Sequence, residues 1–196
     1  MKSISSLIFC CLFCFAFAFG AAAKWDYTFS EPTTKVIDGK SFYVITSIDE
    51  FGWFLDTLGR DEGGHVLNAV LETDLYLTED GQMDTTARFY NSKLNYVGNL
   101  HGIFDGQGHT IYGFSATTSL FNIVDEGAIL RNLNMVNTHV SSVYAGAFAS
   151  MNWGYIDNCH AEGIIRAAYI TDYAGGITAL NKGYISNSSV KGSKFR

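Results

Sequence analysis

Two histidines and an aspartate, His101-x3-Asp105-x3-His109, have the side-chain types that could grip a metal ion. On a helix, four-residue steps would align them on one face. Here they straddle the glycine-rich run GIFDGQGH, where a turn scatters the side chains. The expectation is two exposed histidines beside a turn-forming aspartate, with no metal and no cofactor. Acid–base chemistry needs carboxylates brought together, and a calcium-dependent lyase needs an acidic cluster with an Arg or Lys base beside it. Asp105, Asp125, Glu126, Asp157, Glu162 and Asp172 are dispersed, and Arg131 and Arg166 are isolated. The chain has no HExxH, no GxxxxGK[ST] loop and no GxSxG elbow. No catalytic residue is assigned, and a polysaccharide lyase or hydrolase stands as the third of three functional readings.

Aromatic residues offer a different chemistry. Gly154-Tyr155-Ile156 and Gly183-Tyr184-Ile185 place two tyrosines at equivalent positions 29 residues apart. Both are expected to point outward and to stack as an exposed ladder. Aromatic faces suit sugar rings, and Trp153, Asn152, Asn181 and Asp157 stand close enough in sequence to add a ring and hydrogen bonds. The candidate binding residues are therefore Tyr155, Tyr184, Trp153, Asn152 and Asn181. The plainer alternative is that stacked tyrosines only stabilise a sheet face.

These positions recur because the chain repeats. Ala145 to Gly163 (AGAFASMNWGYIDNCHAEG) and Ala174 to Gly192 (AGGITALNKGYISNSSVKG) share 8 of 19 residues. An upstream copy aligns Phe121 and Ile129 with Phe148 and Ile156, then with Ile177 and Ile185, at steps of 27 and 29 residues. A fixed period in this range signals stacked structural units. The runs within each unit are short, alternate in polarity and are broken by Gly and Asn, which argues for strands rather than helices. No proline follows Pro32, so no ladder donor is lost. The expected fold is all-β: a parallel β-solenoid whose coils set Ile upon Ile at about 4.8 Å. Gly154 and Gly183 should occupy corners that need positive φ or close backbone approach, and Asn158 and Asn187 should stack as an internal or corner ladder. An antiparallel sandwich would explain the alternation but not the period.

Ahead of the repeats, residues 24–60 are read as a polar lead-in (Lys24 to Lys40), a strand (Ser41 to Ile45) and one helix. Ser47-Ile48-Asp49-Glu50 is a capping box, Phe51, Phe54, Leu55 and Leu58 share a face, and Gly59 marks the stop. A solenoid must cover the end of its core, so this helix is expected to act as the cap, with Trp53 and Phe54 closing the first coil. The solenoid follows over 61–196. Asn68 to Leu77 is a strand region, and Thr78 to Asn99 is an irregular excursion. In Gly102 to Phe114, Gly106 and Gly108 turn while Ile103, Ile111 and Phe114 face inward.

FDGQGHTIYGF, then LFNIVDEGAILRNLNMVN, then two AG(A/G)-x7-GYI-x-N units together resemble the GLUG-repeat family of secreted bacterial proteins. The resemblance spans roughly residues 41–192, with GLUG-like repeats at about 121–137, 145–163 and 174–192. It implies a right-handed parallel β-helix, of the kind found within large surface proteins or beside peptidase domains. It implies little about activity.

Composition narrows the classes further. Lys2, the apolar stretch Leu7 to Phe19 and Ala21-Ala22-Ala23 read as a signal peptide over 1–23, cut before Lys24. The apolar run is 13 residues, short of the roughly 20 that a spanning helix needs. The expected location is secreted or cell-surface, with no membrane span in the mature chain. Cleavage leaves Cys159 alone, so no intramolecular disulfide can form. Its repeat partner is Ser188, which makes it a packing position. The mature chain carries 12 basic against 19 acidic residues and no basic patch, which argues against nucleic acid. Asn187-Ser188-Ser189 matches a glycosylation sequon but is read as a turn. The first functional reading is a non-catalytic adhesion, carbohydrate-binding or surface-protein-binding module. The second is a scaffold segment at the front of a larger surface protein. An open C-terminal coil would expose strand edges and favour self-association.

Overall fold

The computed structural model describes residues 29–61, 63–78, 81–82, 98–170 and 172–192. The signal segment at 1–23 and most of the excursion between Thr78 and Asn99 lie outside the described residues.

The chain enters through a hairpin of β1 (Thr34–Ile37) and β2 (Lys40–Ile45). The turn is Asp38-Gly39, both with positive φ (49° and 76°), the two-residue connection that matches strand twist. The lead-in is therefore partly a strand, contrary to expectation, and the Asp-Gly pair is the signal for it. Helix α1 (Ile48–Arg60) follows. The Ser47 hydroxyl accepts the Glu50 amide at 3.2 Å, while the Glu50 carboxylate accepts the Thr46 amide at 2.7 Å. The helix runs through Gly59 and ends at Asp61, whose amide returns to the Leu58 carbonyl. Phe51, Phe54, Leu55 and Leu58 are buried. Phe51 and Phe54 meet Phe104 with ring centroids at 6.4 and 5.7 Å, and Trp53 packs on Tyr43 at 5.1 Å. The helix covers the start of the solenoid, as the capping reading requires.

Five coils follow. The first comprises β3 (Ala69–Leu71) and β4 (Leu75–Tyr76). The second comprises β5 (Ile103–Asp105), β6 (Thr110–Tyr112), β7 (Ser115–Ala116) and β8 (Phe121–Val124). The third comprises β9 (Ile129–Arg131), β10 (Asn134–Ser142), β11 (Tyr144–Ala145) and β12 (Ala149–Asn152). The fourth comprises β13 (Tyr155–Asp157), β14 (His160–Ala167), β15 (Tyr173–Ala174) and β16 (Thr178–Asn181). The fifth comprises β17 (Tyr184–Ser186) and β18 (Ser189–Lys191). Strands stack in parallel into sheets β3-β5-β9-β13-β17, β4-β6-β10-β14-β18 and β8-β12-β16, with β11 beside β15. The fold is thus a parallel β-solenoid with one helix near its start.

The register corrects two alignments by one residue. Leu130, not Ile129, stands beside Ile156, and Ala149, not Phe148, stands beside Phe121. Likewise Phe104 points into the core, while Ile103 packs with Phe42, Val44 and Val70 on the opposite face of the sheet. The inward column is Phe104, Leu130, Ile156, Ile185, with Ile103, Ile129, Tyr155 and Tyr184 as their preceding neighbours. A one-residue slip reverses which side chain is buried, and the adjacent apolar pairs Ile103-Phe104 and Ile129-Leu130 hide the choice in the sequence. Ile111 and Phe114 are buried as expected. Asn68 to Leu77 is two strands around a corner at Glu72–Asp74 rather than a single region.

Candidate functional site

The corners that set the outer surface are built from Gly and Asn. Gly154 and Gly183 lie outside the positive-φ set, and close backbone approach is what requires them. A Cβ on Gly154 would lie 2.3 Å from the Asp125 carbonyl oxygen, and one on Gly183 would lie 2.2 Å from that of Gly154. Asn132, Asn158 and Asn187 are left-handed, with φ of 54°, 50° and 48°. The Asn158 amide donates to Asn132 Oδ1 at 2.9 Å. The ladder then breaks step: Asn187 donates to Asp157 Oδ1 at 2.8 Å instead of to Asn158. The amide nitrogen of the sequon is therefore held in a corner, in agreement with the turn reading.

These corners hold Tyr155 and Tyr184 in register, and the two rings stack with centroids 5.1 Å apart and planes 10° from parallel. Both are exposed, at 48% and 67%. Each ring covers a face of its neighbour, so the ladder offers ring edges and hydroxyls to solvent, with Tyr184 the outermost ring described. Trp153 is also exposed, and the Lys182 ammonium sits 5.8 Å from its ring centroid. Asn181, the register partner of Asn152 at the end of β16, is exposed because no strand among the described residues stacks on β16. Asn152 is not available to a ligand: it is buried, and its amide donates to Asn181 Oδ1 at 2.8 Å and to the Tyr184 carbonyl at 3.2 Å. Its role is to splice the two coils beneath the tyrosines. Among the predicted residues, Tyr155, Tyr184 and Trp153 share the outer surface, whereas Asn152 and its register partner Asn181 form a ladder beneath it.

A second ladder escaped the sequence reading. Tyr144 and Tyr173 stack at 5.4 Å, 4° from parallel. Their signal was present, because they immediately precede Ala145 and Ala174 and share the 29-residue step. Beside them Val143, Tyr169 and Ile170 are exposed. Asp172 accepts the Tyr169 amide at 2.7 Å and returns its own amide to the Tyr169 carbonyl at 3.1 Å. Tyr76 and Tyr112 form a third pair at 4.7 Å, whose 36-residue step follows from the excursion between their coils.

The ionisable residues are drawn into separate local pairs. His101 meets Asp125 at 2.7 Å, and His109 meets Asp74 at 3.2 Å. Asp105 accepts Arg131 Nε at 2.8 Å and the Asn132 amide at 3.0 Å. The three residues of the metal-like spacing thus turn to three different partners, and no group of three or more metal-ligating side chains forms among the described residues. Asp157 accepts Ser186 Oγ at 2.7 Å and the Asn187 amide, and these bonds hold its carboxyl below the ordinary 3.8. Burial pushes the Cys159 thiol up to about 12, so it lacks the thiolate character of a nucleophile. No described helix is long and apolar enough to cross a membrane.

Compared with known proteins, the chain matches no protein-family model, no curated protein and no solved structure.

Proposed function

We propose that the chain is a non-catalytic, secreted or cell-surface binding module of the GLUG-repeat kind. Its ligand in this reading is an extended, hydroxyl-rich polymer, polysaccharide foremost. The observation that carries the reading is the pair of exposed tyrosine ladders, Tyr144–Tyr173 and Tyr155–Tyr184, each stepping once per coil. A spacing of 5.1–5.4 Å is of the order of one pyranose unit, so a chain laid along the solenoid meets a phenol edge and hydroxyl at each residue. Tyrosine suits this role because it offers a rigid apolar ring with a polar tip. The non-catalytic part of the reading is supported by the pairing of Asp105, Asp125 and Asp157 with structural partners.

A protein ligand is the second reading, favoured by the exposure of Tyr169, Ile170 and Tyr173 on one stretch of chain, with Tyr169 hydrogen-bonded to Asp172. Retention on insoluble plant and microbial polysaccharides separates the two. Salt-resistant retention lost in Tyr155→Ala/Tyr184→Ala supports the glycan reading. Absence of retention on every polymer rejects it and directs attention to Ile170→Asp and protein partners.

A further inference from the structure

The third coil runs through β9, β10, β11 and β12, and the fourth through β13, β14, β15 and β16. Each circuit closes on its own start, since β13 stacks on β9 and β17 stacks on β13. In such a circuit the first position is flanked by the second and the fourth. The third position, β11 and β15, therefore stands across the core from β9 and β13. Consecutive residues at both positions face opposite ways. Ile156 is buried and Tyr155 exposed, while Ala145 is buried and Tyr144 exposed. Ile156 and Ala145 belong to one core. The ladders Tyr155–Tyr184 and Tyr144–Tyr173 thus have that core between them and point away from each other.

The two ladders are built alike. Each places its second ring 29 residues after the first, in register. The centroids are 5.4 and 5.1 Å apart, with planes 4° and 10° from parallel. Main-chain bonds hold both steps. The Tyr173 amide donates to the Val143 carbonyl at 2.9 Å and the Gly175 amide to that of Ala145 at 2.8 Å, while the Tyr184 amide donates to the Gly154 carbonyl at 2.9 Å. All four rings are exposed, Tyr144 the least at 37%. A polymer that fits one ladder meets the same ring edges and hydroxyls, at the same step, on the other. A stiff strand lying along one ladder is turned away from the second by the width of the coil.

Building on the glycan reading above, we infer that the chain is bivalent: each ladder holds its own glycan strand, and the folded module bridges two strands. Back-to-back sites cannot add their affinities on one straight strand. They add them only where two strands are offered together, so the outcome of binding is a crosslink.

The test uses the full chain with four soluble polymers: xylan, mixed-linkage β-glucan, galactomannan and homogalacturonan. Affinity electrophoresis reads binding, and light scattering of the polymer reads crosslinking. The expected result is that at least one polymer slows the chain, and that its scattering rises with added protein and falls again in excess. That rise and fall needs no variant, because only a two-site binder is diluted onto separate strands by its own excess. Tyr144→Ala/Tyr173→Ala and Tyr155→Ala/Tyr184→Ala, each folded by far-UV spectroscopy, should still be slowed through the remaining ladder while scattering drops about tenfold or more. A polymer that slows the wild type with no rise in scattering overturns bivalence and leaves the glycan reading standing. Undiminished scattering in either folded double variant does the same. A chain slowed by none of the polymers overturns the glycan reading, and bivalence with it.

Discussion

Tyr155 and Tyr184 lie 29 residues apart in the chain, yet their rings stack at 5.1 Å and within 10° of parallel. The register beneath them sets that contact, with Ile156 beside Ile185 in the core and the Asn152 amide joining Asn181 to the Tyr184 carbonyl. Because the rings are exposed, the stack contributes modestly to stability, about 0.5–1.5 kcal/mol. A double-mutant cycle of Tyr155→Ala and Tyr184→Ala in urea should return a coupling in that range and leave the far-UV spectrum unchanged. A coupling near zero would mean the rings are independent in solution.

The corner glycines predict a sharper effect. Gly154→Ala drives a Cβ into the Asp125 carbonyl, and Gly183→Ala drives one into that of Gly154. Each should destabilise the fold by about 2–3 kcal/mol or more, because backbone atoms on both sides must move. Gly127→Ala is the control: its Cβ meets nothing within 4 Å, and the φ of +81° alone costs about 1–2 kcal/mol. Chemical denaturation of the three variants checks the order.

How much of this was legible depends on what each residue type fixes. The repeated Gly154 and Gly183 pointed to corners of positive φ or close approach, and the Cβ clashes decide for close approach. Asn158 and Asn187 pointed to an internal or corner ladder, and their left-handed φ places both at corners while the ladder itself breaks at Asn187. The capping helix was legible from Ser47, Glu50 and a single apolar face. The facing of Ile103 and Ile129 was not, since each is followed by a second apolar residue and only the stacked neighbours decide which one is buried. Asn152 was misjudged as a ligand-binding side chain because a polar residue inside a coil looks the same in sequence as one outside. Tyr144 and Tyr173 were missed because the repeat was aligned from Ala145, one residue too late.

Asp157 predicts a pH dependence. Its folded carboxyl titrates below the ordinary 3.8, owing first to Ser186 Oγ and then to the Asn187 amide. A depressed folded value means that the stabilisation is present at neutral pH and lost as pH falls through that value. The melting-temperature gap between wild type and Asp157→Ala should be constant from pH 7 to about 5 and close below about pH 4. A gap that persists at pH 2 would show that Asp157 acts by packing alone.

Cys159 is buried, with a thiol pushed up to about 12. A thiol-specific reagent at pH 8 should therefore leave the native chain unlabelled at this residue and modify it only after unfolding in guanidinium. Rapid labelling of Cys159 in the folded chain would contradict the inward placement of this corner.

The central claim is that the outer tyrosine ladders bind an extended glycan. The direct measurement is retention of the purified chain on a panel of insoluble polysaccharides in high salt, beside Tyr155→Ala/Tyr184→Ala and Tyr144→Ala/Tyr173→Ala. The account predicts retention of the wild type on at least one polymer, with loss of at least about tenfold in affinity in one double variant that still folds. Equal retention of all three proteins, or none on any polymer, would contradict it.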